Sequence, residues 1–356
     1  MKRVPGASPE RARFPARQWR EGSGGKAVAA RKSPVHAAAV GWLLMSYLAQ
    51  MTFRLSAGAT RFSESFCQRH AAYLIALQNP DGGFSGREGS SDLYYTGFAL
   101  RALALVGRLD EVAGRAAEFL SRHCGRPLLA IDFVSVILSA VLLESMAGID
   151  VYARAGCDRN KTLGEHLQRF RRPDGGYAKT ERSGGSSTYH TFLAAACMDL
   201  CGATIPEPDR IAALIRARQR PDGGFVELDA LPHSGTNPTA AGVGLLRLLD
   251  VLDETTRSRS ARFLLAMQNR EGGLLANTRI PTADLLSTFA GLTALADLEA
   301  LPAIDAAAAR RYVASLEAAK GGFRGAAWDD RPDPEYTFYG LGCLALLETD
   351  SSPLAN

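Results

Sequence analysis

Carboxyl, phenol and imidazole groups occur in the 356-residue chain where several apolar, Ala- and Gly-rich stretches begin. Such side chains can exchange protons or hold a polar ligand. Each also has a structural interpretation, because Asp commonly caps a helix, tyrosine often packs by its ring, and an isolated histidine is usually structural. The candidates for catalysis or ligand binding are Asp92, Tyr94, Tyr95, Tyr189, His190, Asn237, Asp284, Asp333, Glu335 and Tyr336.

The cysteines follow no metal-binding or disulfide pattern. They stand at positions 67, 124, 157, 197, 201 and 343, and no two of them form a CxxC pair. This spacing argues against a zinc ribbon and against a secreted disulfide framework. It favours a reducing, cytoplasmic location, and no cofactor is predicted.

Basic residues are concentrated at the N-terminus. The chain has 41 Lys and Arg against 37 Asp and Glu, a net charge of +4. Residues 1–33 carry nine basic and two acidic residues, or +7, which leaves the remainder at 4 − 7 = −3. We predict a basic disordered tail over residues 1–33, followed by a single domain over residues 34–356 that binds no nucleic acid.

The apolar stretch 35–49 follows this tail, and the sequence leaves open how the tail arose. A non-native extension or disordered arm, an export signal and a nucleic-acid-binding arm all fit the pattern. On the first interpretation, a start at Met45 or Met51 would lose nothing that the fold needs. No uninterrupted apolar run reaches the ~18 residues of a membrane span, so no transmembrane segment is predicted.

A Gly-Gly turn recurs along the chain and marks an internal repeat. Its sequences are LQNPDGGF (77–84), FRRPDGGY (170–177), RQRPDGGF (218–225), MQNREGGL (267–274) and EAAKGGF (317–323). The second glycines, at positions 83, 176, 224, 273 and 322, are 93, 48, 49 and 49 residues apart. Because the first interval is about twice the others, a degenerate turn is expected near Gly125. The chain thus contains six units of roughly 48 residues.

Each unit has a charged helical segment before the turn and a nearly uncharged, small-residue helical segment after it. We expect an all-α fold, an α/α toroid of six helical hairpins, with the charged helices outside and the apolar helices around a central funnel. The aromatic residues that follow the turns are expected to pack beneath the next turn. They are Phe84, Tyr177, Phe225 and Phe323.

The inner helices of a closed toroid all run in one direction, so their N-termini meet at one mouth. Unpaired N–H groups and a partial positive charge at these ends favour an anion. The channel beyond is expected to be apolar. This combination predicts a ligand with an anionic head and an apolar tail, such as an isoprenoid diphosphate or another amphiphile.

The Gly-Gly repeat resembles that of the prenyltransferase and squalene-cyclase superfamily over roughly residues 60–348. The last unit, GGFRGAAWDDRPDPEYTFYGLGCLALLE (321–348), is similar to the last repeat of protein prenyltransferase β subunits, especially the Rab geranylgeranyl transferase type. The resemblance implies an α/α toroid and an isoprenoid substrate. It also leaves open a second subunit or a peptide as a partner.

Protein prenyltransferases hold a catalytic zinc with an Asp-x-Cys pair and a His, so the resemblance can be tested at these positions. They read Ala283, Leu285 and Tyr336 here, with Asp284 one residue out of register. A phenol is a poor zinc ligand and leucine is none. Zinc is therefore disfavoured, and prenyl transfer would need another route.

The basic residues with which this family binds diphosphate are also replaced. Their positions read Asn277 and Ile280, and Arg279 is the basic residue nearby. Trp328 lies in the acidic loop of the last unit, where it could contact a ligand or order the loop. Arg279 and Trp328 complete the set of candidate ligand-binding residues.

Class II terpene cyclases share the toroid and use an Asp-x-Asp-Asp-Thr motif, whose middle acid protonates an alkene or epoxide. The segment DLYYT (92–96) keeps the first acid and the Thr, whereas DPEYT (333–337) keeps an acid at the middle position, Glu335. Three functions remain open: a prenyltransferase-like enzyme without the usual zinc ligands, a non-catalytic binding toroid, and a short cyclase-like enzyme. The candidate catalytic residues are Glu335, Asp333, Tyr336 and His190.

Overall fold

The computed structural model describes residues 46–349, in which a first helix, α1 (Tyr47–Ala59), precedes six helical hairpins. The outer helices are α2 (Glu64–Ile75), α4 (Ala113–Ser121), α7 (Arg159–Phe170), α9 (Pro208–Ala217), α11 (Glu254–Leu265) and α13 (Ala306–Ser315). The inner helices are α3 (Leu93–Leu105), α5 (Ala130–Ala147), α8 (Thr188–Leu200), α10 (Thr236–Leu248), α12 (Leu285–Asp297) and α14 (Pro334–Thr349). A short helix, α6 (Val151–Ala155), and two 3₁₀ turns, Leu109–Glu111 and Leu301–Ala303, lie in connections.

The inner helices form a closed ring. Each packs against the next in the order α3, α5, α8, α10, α12 and α14, and α14 packs in turn against α3. Every outer helix packs against an inner helix, and β-pairing among residues 46–349 is limited to isolated bridges at the turns. The predicted all-α toroid of six hairpins is therefore confirmed, including the degenerate second unit.

One hydrogen-bond pattern fixes the turn to the inner helix in five of the six units. In the fourth unit, the backbone N–H of Phe225 donates to Thr239 Oγ1 at 2.8 Å, and Thr239 Oγ1 donates to the carbonyl of Gly235 at 2.6 Å. Because the turn residue is thereby held against the helix, its ring is driven into the core. The same bond joins Phe84 to Thr96, Tyr177 to Thr191, Leu274 to Thr288, and Phe323 to Thr337.

The residues that follow the turns are buried as predicted, since Phe84, Phe225 and Phe323 are fully inaccessible and Tyr177 is 3% exposed. The first glycine of the turn provides the necessary backbone geometry. Gly223 has φ 95°, and a Cβ there would collide with the carbonyl of Arg259. Only glycine meets both constraints without strain.

We expect Thr239→Val to lower the free energy of unfolding by about 1–3 kcal/mol, because the buried N–H of Phe225 loses its acceptor while side-chain volume is kept. Urea unfolding followed by circular dichroism measures the difference. Thr239→Ser is the matched control, since it retains the hydroxyl and should recover most of the stability. Equal losses in the two variants would contradict the role of the hydrogen bond.

Helix α1 closes one end of the ring. It packs against α14 and against α8 on the opposite side. The backbone N–H of Tyr47 donates to Asp199 Oδ2 at 2.8 Å, and the Tyr47 hydroxyl donates to Asp297 Oδ2 at 2.6 Å. Arg54 and Arg247 both form ion pairs with Asp297. Asp199 and Asp297 lie near the C-terminal ends of α8 and α12, so α1 forms a floor beneath the C-terminal ends of the inner helices.

This floor corrects the expectation that a start at Met51 would lose nothing that the fold needs. Such a chain would lack Tyr47, which is buried and bonded to two inner helices. The predicted basic tail and the alternatives for its origin fall on residues 1–45, outside the described residues. The described residues all belong to one compact unit of the chain.

Helix α5 is the one helix within residues 46–349 that is long and apolar enough, by length and composition, to cross a membrane. It meets this criterion although Asp132 and Glu144 interrupt its apolar run, which is why the sequence did not predict it. Of its 18 residues, 56% are buried inside the protein. Packing of α5 against α3 and α8 accounts for this burial.

The ion pairs of the floor should be essential for stability. We expect Asp297→Ala to cost about 2–3 kcal/mol, because two partly buried guanidinium groups and the Tyr47 hydroxyl lose their shared partner. Asp229→Ala is the control: this carboxylate is 80% exposed in its pair with Arg220 and should change stability by less than about 0.5 kcal/mol. Chemical denaturation of both variants measures the difference. An equally small loss of stability in the two variants would contradict the role of these ion pairs.

Candidate active site

The ring encloses a cavity of about 470 Å³. Its floor comes from α1, and its wall comes from all six inner helices. The wall is mostly apolar and rich in aromatic rings, which suits an apolar ligand of moderate size. The aromatic part of the wall includes Phe98, Phe192, Phe289, Phe338 and Tyr339.

Glu335 places a carboxyl group in this wall. It is the second residue of α14, and two phenols donate hydrogen bonds to its Oε1: Tyr94 at 2.6 Å and Tyr339 at 3.2 Å. Burial raises the pKa of Glu335, the Tyr94 hydrogen bond opposes this shift, and the charge of Asp333 adds to it. The structure therefore presents a positioned carboxyl group that holds its proton to higher pH than an exposed glutamate does.

The rings around Glu335 form a continuous aromatic surface. The ring centroid of Tyr339 lies 5.1 Å from that of Phe289, with the rings stacked, and 5.2 Å from that of Phe98, with the rings edge to face. Phe338 contacts the same two phenylalanines at 5.4 and 5.8 Å. Because aromatic faces attract cations, such a wall can stabilise positive charge that develops on an apolar ligand.

The structure divides the predicted site residues into three groups. Those that line the central cavity are Tyr94, Tyr189, Asn237 and Glu335. A second cavity of about 240 Å³, beside Arg87 and Asp329, is lined by Asp284, Trp328 and Tyr336. The residues that line neither cavity are Asp92, Tyr95, His190, Arg279 and Asp333.

Helix capping explains the positions of the three aspartates. Asp92 Oδ1 accepts the backbone N–H of Tyr95 at 3.0 Å, Asp284 Oδ1 accepts that of Ser287 at 2.7 Å, and Asp333 Oδ1 accepts that of Tyr336 at 2.9 Å. These are N-cap bonds, and the threonine four residues later holds the turn. In segments 92–96 and 333–337, the first and last residues therefore stabilise the start of the helix. Only the middle residues, Tyr94 and Glu335, face the central cavity.

His190 lies outside the central cavity. Its Nδ1 is 2.8 Å from Ser187 Oγ, and burial lowers its pKa to about 4. The structure thus places it as a neutral side chain bonded to the cap of its own helix. Arg279 is an exposed loop residue away from both cavities.

Several cavity residues were not identified from the sequence. Arg101 on α3 and Glu227 in the loop before α10 contribute charged groups to the lining, and Glu227 accepts the backbone N–H of Tyr189 at 3.3 Å. Arg101 is the one charged residue in the apolar helix Leu93–Leu105, and this isolation was the available signal. Glu227 gave no signal, because its approach to the cavity depends on the path of a loop.

The described residues do not fit the zinc site of protein prenyltransferases. No group of three or more His, Cys, Asp or Glu side chains within residues 46–349 could hold a metal ion. Asp284, the nearest candidate ligand, accepts hydrogen bonds from both the backbone N–H and the hydroxyl of Ser287. Tyr336, which stands at the histidine position, offers only a phenol, and burial raises the pKa of this phenol to about 12.

Comparison with known families agrees with this architecture. The chain matches the prenyltransferase alpha-alpha toroid domain over residues 42–356 and therefore belongs to this family. It is a prenyltransferase-like toroid, as the Gly-Gly repeat predicted. The fold and the family are thus established independently of the site chemistry.

Three similar proteins, one related in sequence and two alike in fold, have different names and activities. A drimenyl diphosphate synthase from Streptomyces showdoensis is 31% identical over 166 residues, which cover 43% of this chain and 30% of that protein's length. A Candida albicans protein geranylgeranyltransferase-I complexed with GGPP has a TM-score of 0.64 at 15% identity, over 80% of this chain and 92% of that one. A variant of the type II terpene cyclase MstE from Scytonema, in complex with geranylgeranyl dihydroxybenzoate, has a TM-score of 0.55 at 14% identity, over 84% of this chain and 98% of that one.

The raised pKa of Glu335 gives a pH-dependent prediction. The folded state holds this proton more tightly than the unfolded state, so stability should fall as pH rises from about 4.3, the ordinary glutamate pKa, through the folded-state pKa. Glu335→Gln removes this dependence. We expect the stability of the variant relative to the wild type to increase across that range and then level off. Urea unfolding of both proteins between pH 4 and 8 measures it, and a constant difference would contradict the shift.

Proposed function

We propose that the toroid binds a polyprenyl chain in its central cavity and that Glu335 initiates cyclisation of this chain as a general acid. The observation that carries the proposal is the carboxyl group of Glu335, held by Tyr94 and Tyr339 in an apolar wall of aromatic rings. A carboxylic acid can protonate an alkene only where water does not compete and where rings stabilise the cation.

The O–H bond of Glu335 breaks, and its proton forms a C–H bond with the terminal alkene, which leaves a tertiary cation. Internal alkenes close rings by forming C–C bonds, and the final cation loses a proton to water. Glu335, left as a carboxylate, regains a proton from solvent. The product is then an isomer of the substrate, and no bond to a head group breaks.

Similarity to known proteins supports an isoprenoid ligand. The relative from Streptomyces showdoensis is a drimenyl diphosphate synthase, and the Scytonema neighbour is a type II terpene cyclase. The aligned part spans 30% of the drimenyl diphosphate synthase, so the activity of that whole protein is a proposal for this chain. The six cysteines are free thiols, which supports the proposed cytoplasmic location.

Prenyl transfer or binding without catalysis is the second candidate. The likeness in fold to a protein geranylgeranyltransferase-I complexed with GGPP favours it. In that case the cavity would hold the isoprenoid tail, and a second subunit or a peptide would approach the open end. Since Asp284 and Tyr336 do not form a zinc site, activation of an acceptor would need a route without that metal.

Turnover of farnesyl and geranylgeranyl diphosphate tests the proposal. We expect the wild type to form a cyclic isomer that keeps its diphosphate, and Glu335→Gln to lower kcat at least ~100-fold, the usual contribution of a general acid, with substrate affinity kept. Glu118→Gln on the exposed face of α4 is the matched control and should retain activity. Mass spectrometry of the products decides the outcome.

Other results would redirect the assignment. Release of inorganic diphosphate by the wild type, without a cyclic isomer, would replace cyclisation by prenyl transfer. Tight binding of either substrate without any product would favour the non-catalytic toroid. Equal activity of Glu335→Gln and the wild type would remove Glu335 from the chemistry.

A further inference from the structure

Arg101 brings a positive charge into the wall of the central cavity. It lies in the third turn of α3, and its guanidinium carbon is 4.1 Å from the ring centroid of Phe98 and 4.6 Å from that of Phe338. Its Nε donates to the carbonyl of Gly97 at 3.1 Å. These contacts fix the plane of the guanidinium group and leave its two terminal nitrogens as the donors that remain.

The terminal nitrogens of Arg101 have no acceptor among the described residues. This distinguishes Arg101 from the half-buried Arg54 and Arg247, which pair with Asp297, and from the buried Arg218, which donates to Ser186. The titratable groups facing Arg101 are Glu335 and the phenols Tyr94, Tyr189 and Tyr339. Glu335 already accepts hydrogen bonds from two of these phenols and forms no ion pair with Arg101.

An unpaired guanidinium in a low-dielectric cavity is costly unless a ligand supplies the anion. Burial lowers the pKa of Arg101, yet a guanidinium stays protonated at neutral pH. Two parallel N–H donors match two oxygens of a phosphate or carboxylate group. The wall around them is aromatic and aliphatic, so such an anion must belong to a molecule that is otherwise apolar.

We propose that Arg101 binds the diphosphate head group of the ligand inside the central cavity. This proposal rests on the proposed function for the apolar tail, and it adds the residue that selects a charged head. It moves the anion site from the mouth, where the helix N-termini predicted it, to the wall of α3. A prenyl chain folded within the cavity can then place its head at Arg101 and its far alkene at Glu335.

Binding of matched ligands tests this directly. Dissociation constants for farnesyl diphosphate and farnesol are measured by calorimetry for the wild type, Arg101→Gln and Arg101→Lys. The wild type is expected to bind the diphosphate at least ~10-fold more tightly than the alcohol, in line with a charge-assisted bidentate contact. Arg101→Gln should abolish this preference without changing affinity for farnesol, and Arg101→Lys should restore part of it.

Arg279→Gln is the matched control, because Arg279 is exposed and lies near the positions that bind diphosphate in prenyltransferases. It should bind both ligands as the wild type does. Thermal unfolding checks folding of each variant, and Arg101→Gln should unfold close to the wild-type temperature, since Arg101 is only half-buried and forms no ion pair. If Arg279→Gln, and not Arg101→Gln, lost the preference for the diphosphate over the alcohol, the proposal would be overturned. The anion site would then lie at the mouth.

The remaining outcomes separate this proposal from the proposed function. Binding of farnesol and farnesyl diphosphate with equal affinity to the wild type would overturn the anion site and leave the isoprenoid cavity standing. Binding of neither ligand would overturn both. If palmitate binds through Arg101 and farnesyl diphosphate does not, the head group is a carboxylate, and the diphosphate assignment is wrong.

Discussion

Closure of the ring of inner helices is the constraint on which the cavity depends. Each inner helix must bury side chains against two neighbours and one outer helix, so it tolerates few charges and needs small residues at close contacts. Gly340, for example, allows the ring of Phe323 to lie against α14. Six inner helices enclose a central cavity, and α1 lies across it at their C-terminal ends.

The same geometry explains why polar groups in the cavity are few and well supported. A carboxyl or guanidinium group in such a wall is destabilising unless neighbours compensate it. Glu335 is compensated by the hydroxyls of Tyr94 and Tyr339, whereas Arg101 has the faces of Phe98 and Phe338 beside it and no anionic partner among residues 46–349. An acid and a cation that do not pair with each other remain available to a ligand. A direct ion pair between them would neutralise both groups.

Sequence patterns predicted the repeat units well and the site only in part. The Gly-Gly turns located five of the six hairpins, because φ near 95° at Gly223 and its equivalents is a local requirement, and the doubled first interval located the other. Glu335 was identified by its place in the DPEYT segment and does line the cavity. Asp333 and Asp92 belong to the same kind of segment, yet they cap helices. A sequence motif shows which residues occur near each other in the chain. The rotation of the helix about its axis decides which of their side chains face the cavity.

The sequence by itself determined the all-α toroid, since helix periodicity, small-residue helices and repeated glycines are local signals that one chain segment carries alone. The tertiary structure alone decided which residues share the cavity. Arg101 and Glu335 are more than two hundred positions apart and meet only because α14 packs against α3. Likewise, Tyr47 joins the floor because α1 crosses beneath helices far from it in sequence. Ring closure creates these contacts, and no local pattern encodes them.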